Sequence, residues 1–251
     1  GSPSWLYVSD RLMQLPLGIF AIAIGTVILP RLSSLFITKD RIAFSNTLDW
    51  SMRLILLISI PAVIGLVMLA EPIILTLFER GAFNSYDSLQ ASYSLIALAG
   101  GLVAFMLIKI LTPSFFARQE PKKPMYVALI SMVLNAVLAW LLGFNLGYGH
   151  VGLALASSIS AFFTAMTLLF LLKREKIYES SKGWIVFWIR LSIASIVLIL
   201  FLVYFNKEVS DLREFTNFGR IVYLLKMVIL GIGLYLLALR LSGLRIKDFI
   251  N

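Results

Sequence analysis

Two charged side chains, Asp10 and Arg11, are neighbours inside a long apolar stretch, residues 4–35. A charge toward the interior of a bilayer costs at least about 2.5 to 3.5 kcal/mol, so such residues usually pair, face a cavity or bind a ligand. A planar guanidinium suits an oxyanion such as phosphate, because it can donate two parallel hydrogen bonds. Arg11 is therefore a candidate anion contact, and the alternative is that the two charges snorkel or hold helices together.

The residues that share a helix face with Arg11 are polar. Ser4, Tyr7, Arg11 and Gln14 recur at intervals of three and four residues, which places them on one stripe of a helix. Asp10 lies about 100° round the same helix from Arg11. This stripe predicts a helix that lines a water-filled vestibule.

Lys109 is a second cation in apolar surroundings, which extend from Phe105 to Phe116. Its ammonium can either line the same cavity or snorkel along its apolar stem to the membrane surface, and the sequence favours neither. Arg190 and Lys226 lie nearer the ends of their apolar stretches, so we expect them to be interfacial anchors.

The remaining polar residues offer little chemistry. The chain has no cysteine and a single histidine, His150, which we expect to be solvated in a turn. No thiolate site, histidine cluster, Ser-His-acid set, paired carboxylates or phosphate-binding glycine loop is apparent. Small and polar residues in 125–144 and 151–172, Asn135 among them, are expected to pack helices together. We therefore predict no enzyme, no cofactor and no metal site.

The composition is that of a polytopic membrane protein. Of the 251 residues, 60% are hydrophobic and 14% charged, and the mean hydropathy is +0.93. The net charge of +9 arises from Lys and Arg in short connections rather than on one soluble face, so we expect no nucleic-acid partner.

Seven apolar runs are long enough to cross a bilayer as helices. We expect an all-α transmembrane bundle, with a kink at Pro16 and an amphipathic connector at 37–48. A short helical turn is expected at 73–78, and Asp49, Glu71 and Asp87 are expected at helix starts. The seven predicted spans are 4–35, 50–69, 86–116, 125–144, 151–172, 184–205 and 218–241.

The positive charges alternate between connections. Fourteen Lys and Arg lie in the first, third and fifth connections and the carboxyl tail, whereas four lie in the other connections. Because cytoplasmic loops are enriched in Lys and Arg, this asymmetry predicts the amino end outside and the carboxyl end in the cytoplasm.

Several stretches together resemble a known family. They are SWLY at 4–7 with DRLM at 10–13, GTVILPRLS at 25–33, LFERGAF at 77–83, and KILTP with FFARQ within 109–119. With these motifs the chain resembles the carboxy-terminal half of the MurJ/MviN lipid II flippases, members of the multidrug/oligosaccharidyl-lipid/polysaccharide exporter superfamily.

The resemblance implies a fourteen-helix transporter of two six-helix lobes, with two further helices that form a groove for a polyprenyl tail. Residues 1–172 would then belong to the carboxy-terminal lobe and residues 173–251 would supply the groove helices. The implied activity is flipping of the lipid-linked peptidoglycan precursor across the bacterial cytoplasmic membrane by alternating access. The implied partners are this lipid substrate, membrane lipids and an amino-terminal lobe, because seven helices cannot rock against themselves.

The resemblance also assigns roles to residues. Arg11 matches an arginine that the family requires in a central cationic cavity, and Asp10 matches its acidic neighbour. With Ser4, Tyr7, Gln14 and Lys109, these form our predicted substrate site. Two residues depart from the family pattern. Gln14 stands where some members carry an acid, and Ala139 stands where some carry a carboxylate near a proposed cation site, which argues against sodium coupling through this helix.

Other functions remain open at this point. Within the superfamily, the chain could serve a flippase for another polyprenyl-linked glycan or a multidrug exporter, although a cation exporter should present acids rather than Arg11. Outside it, the alternatives are a non-transporting membrane scaffold or a glycan-transferring enzyme, which should show acids or histidines in its outer loops.

Overall fold

The computed structural model describes residues 2–206 and 209–244, and every regular element in that part of the chain is helical. Two segments, Leu17–Ile22 and Ala139–Asn145, are π-helical. The α-helices are α1 (Ser2–Pro16), α2 (Ala23–Ile37), α3 (Arg41–Met68), α4 (Ala70–Phe78), α5 (Ser85–Ala99), α6 (Leu102–Ala117), α7 (Lys122–Leu138), α8 (Gly149–Arg174), α9 (Trp184–Phe205), α10 (Val209–Glu214) and α11 (Asn217–Leu241).

The described helices give between five and seven candidate membrane spans, and seven were expected. Five are long and apolar enough to cross a membrane unbroken: α3, α7 with its π-helical end, α8, α9 and α11. The pairs α1–α2 and α5–α6 pass the same criteria when each bent pair is counted as one span, which makes seven. The all-α fold is therefore confirmed for the described residues, with five to seven candidate membrane spans.

The first span is bent after Pro16, as predicted. Proline lacks a backbone N–H and its ring displaces the preceding turn, so the regular hydrogen-bond pattern cannot continue through it. The π-helical segment Leu17–Ile22 follows directly, and the axes of Ser2–Phe20 and Ala23–Ile37 differ by 41°.

The prediction of one continuous helix at 86–116 is wrong. The helix is interrupted at Gly100–Gly101, and the axes of α5 and α6 differ by 40°. Helix α8 explains the break. A Cβ at Gly101 would lie only 2.7 Å from the Cα of Ser158, so no side chain fits there. The Ser158 hydroxyl also donates to the carbonyl oxygens of Ala97 and Leu98, at 2.6 and 3.3 Å.

The predicted connector at 37–48 is also wrong, since most of it forms the start of α3. Asp40 caps this helix by accepting a hydrogen bond from the Ala43 N–H at 2.9 Å. Glu71 lies in the first turn of α4 and Asp87 completes a capping box at α5, as expected. Asp49 lies in the interior of α3 rather than at a helix start.

The helices pack as two neighbouring groups. Helix α8 packs against α5, α6 and α7, and α3 and α6 complete a core rich in fully buried residues such as Ile55, Met106 and Phe115. Helices α9 and α11 pack on each other and reach the rest of the bundle through α3 and α4. Helix α7 lies on the outside, with Ile130, Val133 and other apolar side chains exposed.

Candidate functional site

A polar cavity of about 540 Å³ lies among α1, α6, α7 and α8. It holds two charged residues, Asp10 from α1 and Lys109 from α6. The remaining polar lining consists of amide and hydroxyl side chains: Gln14, Ser131, Asn135, Ser157, Ser160 and Thr164. Such a lining can hold water and can hydrogen-bond the hydroxyl groups or charges of a polar ligand.

Helix α1 is fixed against α5 by two polar contacts. The Trp5 indole N–H donates to Asp87 at 2.8 Å, and the buried Ser9 hydroxyl donates to the Ala91 carbonyl oxygen at 2.7 Å. These contacts set the rotation of α1 about its axis. As a result Asp10, the next residue after Ser9, is directed to the cavity.

Asp10 and Gln14 meet on the cavity side of α1. They are four residues apart, the spacing at which helical side chains are neighbours, and the Gln14 amide donates to the Asp10 carboxylate. Gln14 thus gives the carboxylate a neutral hydrogen-bond donor at the edge of the cavity.

Arg11 does not line this cavity. It is exposed on α1, and its guanidinium carbon lies 5.0 Å from the centre of the Tyr7 ring, within cation–π range. Ser4 and Tyr7 are exposed on the same face. The structure therefore divides the six predicted residues into two sets: Asp10, Gln14 and Lys109 line the cavity, whereas Ser4, Tyr7 and Arg11 form an exposed stripe beside it.

Lys109 reaches the cavity from α6, which α2 approaches closely at this level. A Cβ at Gly25 would lie 3.2 Å from the Lys109 carbonyl oxygen, so glycine allows the two helices to touch. Although Asp10 lines the same cavity, Lys109 forms no ion pair with any residue in the described part of the chain. Its ammonium is available to an anionic ligand.

The hydroxyl side chains of α7 and α8 join the two helices and also line the cavity. Thr164 donates to the Ser131 hydroxyl at 2.7 Å, and Ser131 donates to the Ser160 carbonyl oxygen at 3.0 Å. The Asn135 amide lies 3.5 Å from the Ser157 hydroxyl. The packing role predicted for this region is confirmed, but the cavity lining was missed. The four-residue spacing of polar side chains on both helices was the available signal.

An apolar groove of about 450 Å³ lies on the other side of the first span, between α3, α9 and α11. Pro16 and Phe20 border it where the span bends. Gly231 lets α11 approach Leu198 of α9, because a Cβ there would lie 3.1 Å from the leucine side chain. Tyr235 also lines the groove, and its hydroxyl donates to the Leu57 carbonyl oxygen at 2.9 Å.

Asp49 is a buried acid in the middle of α3 that attaches the connection before α9. Its carboxylate pairs with Arg53 at 2.9 Å and accepts hydrogen bonds from Tyr178, Ser181 and Trp184 at 2.6 to 2.7 Å. The predicted helix-start role was wrong because α3 begins eight residues earlier. The sequence alone could not predict that residues 178–184 contact this carboxylate.

His150 is buried rather than solvated, which corrects the prediction for it. It lies in the first turn of α8, and its ring centre is 4.8 Å from that of Trp5. This contact attaches the start of α1 to α8 as well as to α5.

A charge cluster joins the ends of α6, α7 and α8. Arg118 pairs with Glu175 at 2.7 Å and with Glu120 at 3.0 Å, and Lys123 pairs with both acids at 2.6 Å. Burial opposes ionisation of Glu175, but the hydrogen bonds from Lys123 and Arg118 outweigh it and lower the pKa of its carboxyl.

Fold and site together define a class: a polytopic helical membrane protein with a polar, charge-bearing cavity next to an apolar groove. The sequence model of the family described as "Lipid II flippase MurJ" matches residues 1–226. The chain belongs to this family, which confirms the resemblance, and with its apolar helices it is a multi-pass protein of the bacterial inner membrane.

Relatives and a solved structure agree with this assignment. A probable lipid II flippase MurJ of Vibrio cholerae serotype O1 is 41% identical over 255 residues, covering 99% of this chain and 47% of that protein. Its counterpart in Haemophilus influenzae is 41% identical over 254 residues, covering 98% and 49%. A structure described as "Lipid II flippase MurJ, inward closed conformation" matches with a TM-score of 0.79 at 29% identity, covering 100% of this chain and 48% of that one. The chain thus spans about half the length of the relatives that it matches.

Proposed function

We propose that the chain is the carboxy-terminal half of a transporter that flips lipid II across the bacterial cytoplasmic membrane by alternating access. It acts as a transporter rather than an enzyme, and an amino-terminal lobe supplies the other wall of the substrate cavity. Family membership and the half-length match to lipid II flippases support this proposal. The polar cavity provides an aqueous environment for a glycan headgroup.

The observation that carries the proposal is the exposed stripe of α1. Arg11 and Tyr7 are exposed on a helix of a membrane span. Contact of the guanidinium with lipid tails would cost at least about 2.5 to 3.5 kcal/mol, so this face requires water or a polar partner. A cavity shared between two lobes supplies both.

In this proposal each of the six predicted site residues contacts part of the lipid II headgroup. Arg11 binds the diphosphate or the attached sugar through its paired donors, and Lys109 adds a second positive charge from α6. Asp10, Gln14, Ser4 and Tyr7 accept and donate hydrogen bonds to sugar hydroxyls. The polyprenyl tail occupies the apolar groove beside α9 and α11, which fits the division into a lobe at 1–172 and groove helices at 173–251.

The proposed orientation has the amino end outside and the carboxyl end in the cytoplasm. Its support is the distribution of Lys and Arg, fourteen against four between alternate connections. The cluster of Arg118, Lys123 and Glu175 then lies on the cytoplasmic side, and the turn before α8 lies outside.

The test is complementation by the complete protein in bacteria depleted of their own flippase. Arg11→Ala should abolish growth rescue at normal membrane levels, because the diphosphate loses charge-assisted hydrogen bonds worth about 1.5 to 3 kcal/mol each. Arg80→Ala is the matched control, since Arg80 is exposed in the turn after α4 and should not affect growth. Full rescue by Arg11→Ala would contradict the assigned role of Arg11.

A further inference from the structure

A second polar pocket, of about 490 Å³, lies where α3, the start of α9 and the end of α11 meet. Its polar lining comes from α3, α9 and the connection before α9, and none of these residues lines the central cavity. Its charged, amide and hydroxyl side chains are those of Asn46, Asp49, Arg53, Ser181 and Arg190.

Among the described residues, the charges of this pocket do not balance. Asp49 is compensated by its ion pair with Arg53 and by donors from three other residues. Arg190 is half-buried, yet its guanidinium forms no ion pair or hydrogen bond with any residue in the described ranges. The pocket therefore carries one net positive charge from its two arginines and one aspartate.

The guanidinium of Arg190 lies over the backbone of Gly243, just past the end of α11. A Cβ at Gly243 would lie 3.3 Å from the nearest guanidinium nitrogen, and the φ of +89° also favours glycine. The arginine is thus held at the pocket wall by packing, while its hydrogen-bond donors keep no partner among the described residues. A cation that has no anionic partner among the described residues is suited to bind an anionic ligand.

Aromatic residues indicate the depth of this pocket in the membrane. Trp50, Trp184 and Trp188 lie at the same end of the bundle, and tryptophans are enriched at the level of the lipid headgroups. Arg190 is six residues into α9, or about 9 Å from its start. Exposed Ile185 and Ile189 flank the pocket on the same helix and offer an apolar surface to acyl chains.

We propose that this pocket binds the phosphodiester headgroup of an anionic phospholipid, with the Arg190 guanidinium as its main contact. The Asn46 amide, exposed on α3 and free of hydrogen bonds to described residues, supplies a neutral donor. Basic pockets between spans at the cytoplasmic interface favour such headgroups. The site is separate from the proposed transport cavity and does not depend on it.

The test is native mass spectrometry of the complete purified protein titrated with phosphatidylglycerol or with phosphatidylcholine. The wild type should retain phosphatidylglycerol preferentially, and Arg190→Gln should weaken that binding roughly tenfold by removing charge-assisted hydrogen bonds. Arg240→Gln is the matched control, because Arg240 is exposed at the same end and does not line the pocket. Equal binding by wild type and Arg190→Gln would overturn the proposal.

Competition with glycerol 3-phosphate tests whether the ligand of this pocket is a lipid or a soluble phosphate. It carries the phosphate without acyl chains, so millimolar concentrations should leave bound phosphatidylglycerol in place. Displacement by the soluble phosphate would overturn the assignment to a lipid.

A second measurement needs no variant and remains valid if Arg190→Gln does not fold. Phenylglyoxal modifies accessible arginines, so phosphatidylglycerol should protect Arg190 but not Arg240 in the folded wild type. Equal modification of Arg190 with phosphatidylglycerol and with phosphatidylcholine would overturn the proposal.

Discussion

Asp10 and Arg11 are adjacent in the chain but lie in different surroundings. Consecutive residues on a helix point about 100° apart, so the acid lines the cavity while the arginine stays on the exposed stripe with Tyr7. The two charges therefore do not act as an isolated ion pair.

Glu175, by contrast, is a charged residue whose carboxylate is fully engaged in ion pairs within the protein. Its carboxylate holds both Arg118 and Lys123, and the Arg118 side chain is only 7% exposed. Removal of the negative charge leaves a buried guanidinium with Glu120 as its remaining acidic partner in the cluster.

At the residue scale we predict that Glu175→Gln lowers the free energy of unfolding by about 2 kcal/mol at pH 7. The pKa of Glu175 is lowered on folding from its ordinary value of 4.5, so its contribution is present above that pH and is lost as the pH falls through the folded-state pKa. The difference in melting temperature between wild type and variant, measured in detergent, should close as the pH is lowered from 7 to 3.

Glu179→Gln is the control for this prediction. Glu179 is exposed in the same connection, so its substitution should change stability by less than about 0.5 kcal/mol. If the difference in melting temperature between wild type and Glu175→Gln did not change with pH, the ion pairs of Glu175 would not be the cause of that difference.

At the scale of elements, a close helix contact rather than local propensity decides where α5 ends and α6 begins. The break between α5 and α6 lies where α8 passes, with Gly101 against the backbone of Ser158. Because α6 carries Lys109, this break also sets the direction from which the lysine reaches the cavity.

We predict that Gly101→Ala destabilises the protein by about 1 to 3 kcal/mol, the usual range for an overpacked interface. The added Cβ would lie 2.7 Å from a backbone atom, so α6 or α8 must shift. Gly100→Ala is the matched control, because its φ of −53° is helical and its nearest neighbour would lie at 3.5 Å. Thermal melting of both variants measures the difference, and equal melting temperatures would contradict the packing argument.

At the scale of the whole molecule, orientation determines which end of the cavity is open to which compartment. The chain contains no cysteine, so single cysteines can report exposure to each side. Lys122 and Tyr148 are suitable positions, since both are exposed and lie at opposite ends of α7 with its π-helical continuation.

In intact cells we predict that a membrane-impermeant maleimide labels Tyr148→Cys but not Lys122→Cys, in a full-length background free of other cysteines. Lys122→Cys should react only after the membrane is permeabilised, because the connections rich in Lys and Arg stay in the cytoplasm. The reverse labelling pattern would invert the proposed orientation.

Sequence alone determined the fold class and most helix positions in this protein. Apolar runs of membrane length are governed by local composition, so the bounds of α8, α9 and α11 were predicted to within two residues. The bend after Pro16 was likewise predictable, because a proline changes backbone hydrogen bonding wherever it occurs in a helix. The polar stripe of α1 followed from helical periodicity.

Only the tertiary structure decided which polar residues share a cavity and which are used for packing. Lys109 was ambiguous in sequence because its surroundings depend on α1, α7 and α8, which are distant in the chain. Asp49 and His150 were misplaced for the same reason, since Tyr178 contacts Asp49 from 129 residues away and Trp5 contacts His150 from a distant part of the sequence. Side-chain burial and charge compensation are set by contacts between helices, and those contacts depend on how the helices pack rather than on any local pattern.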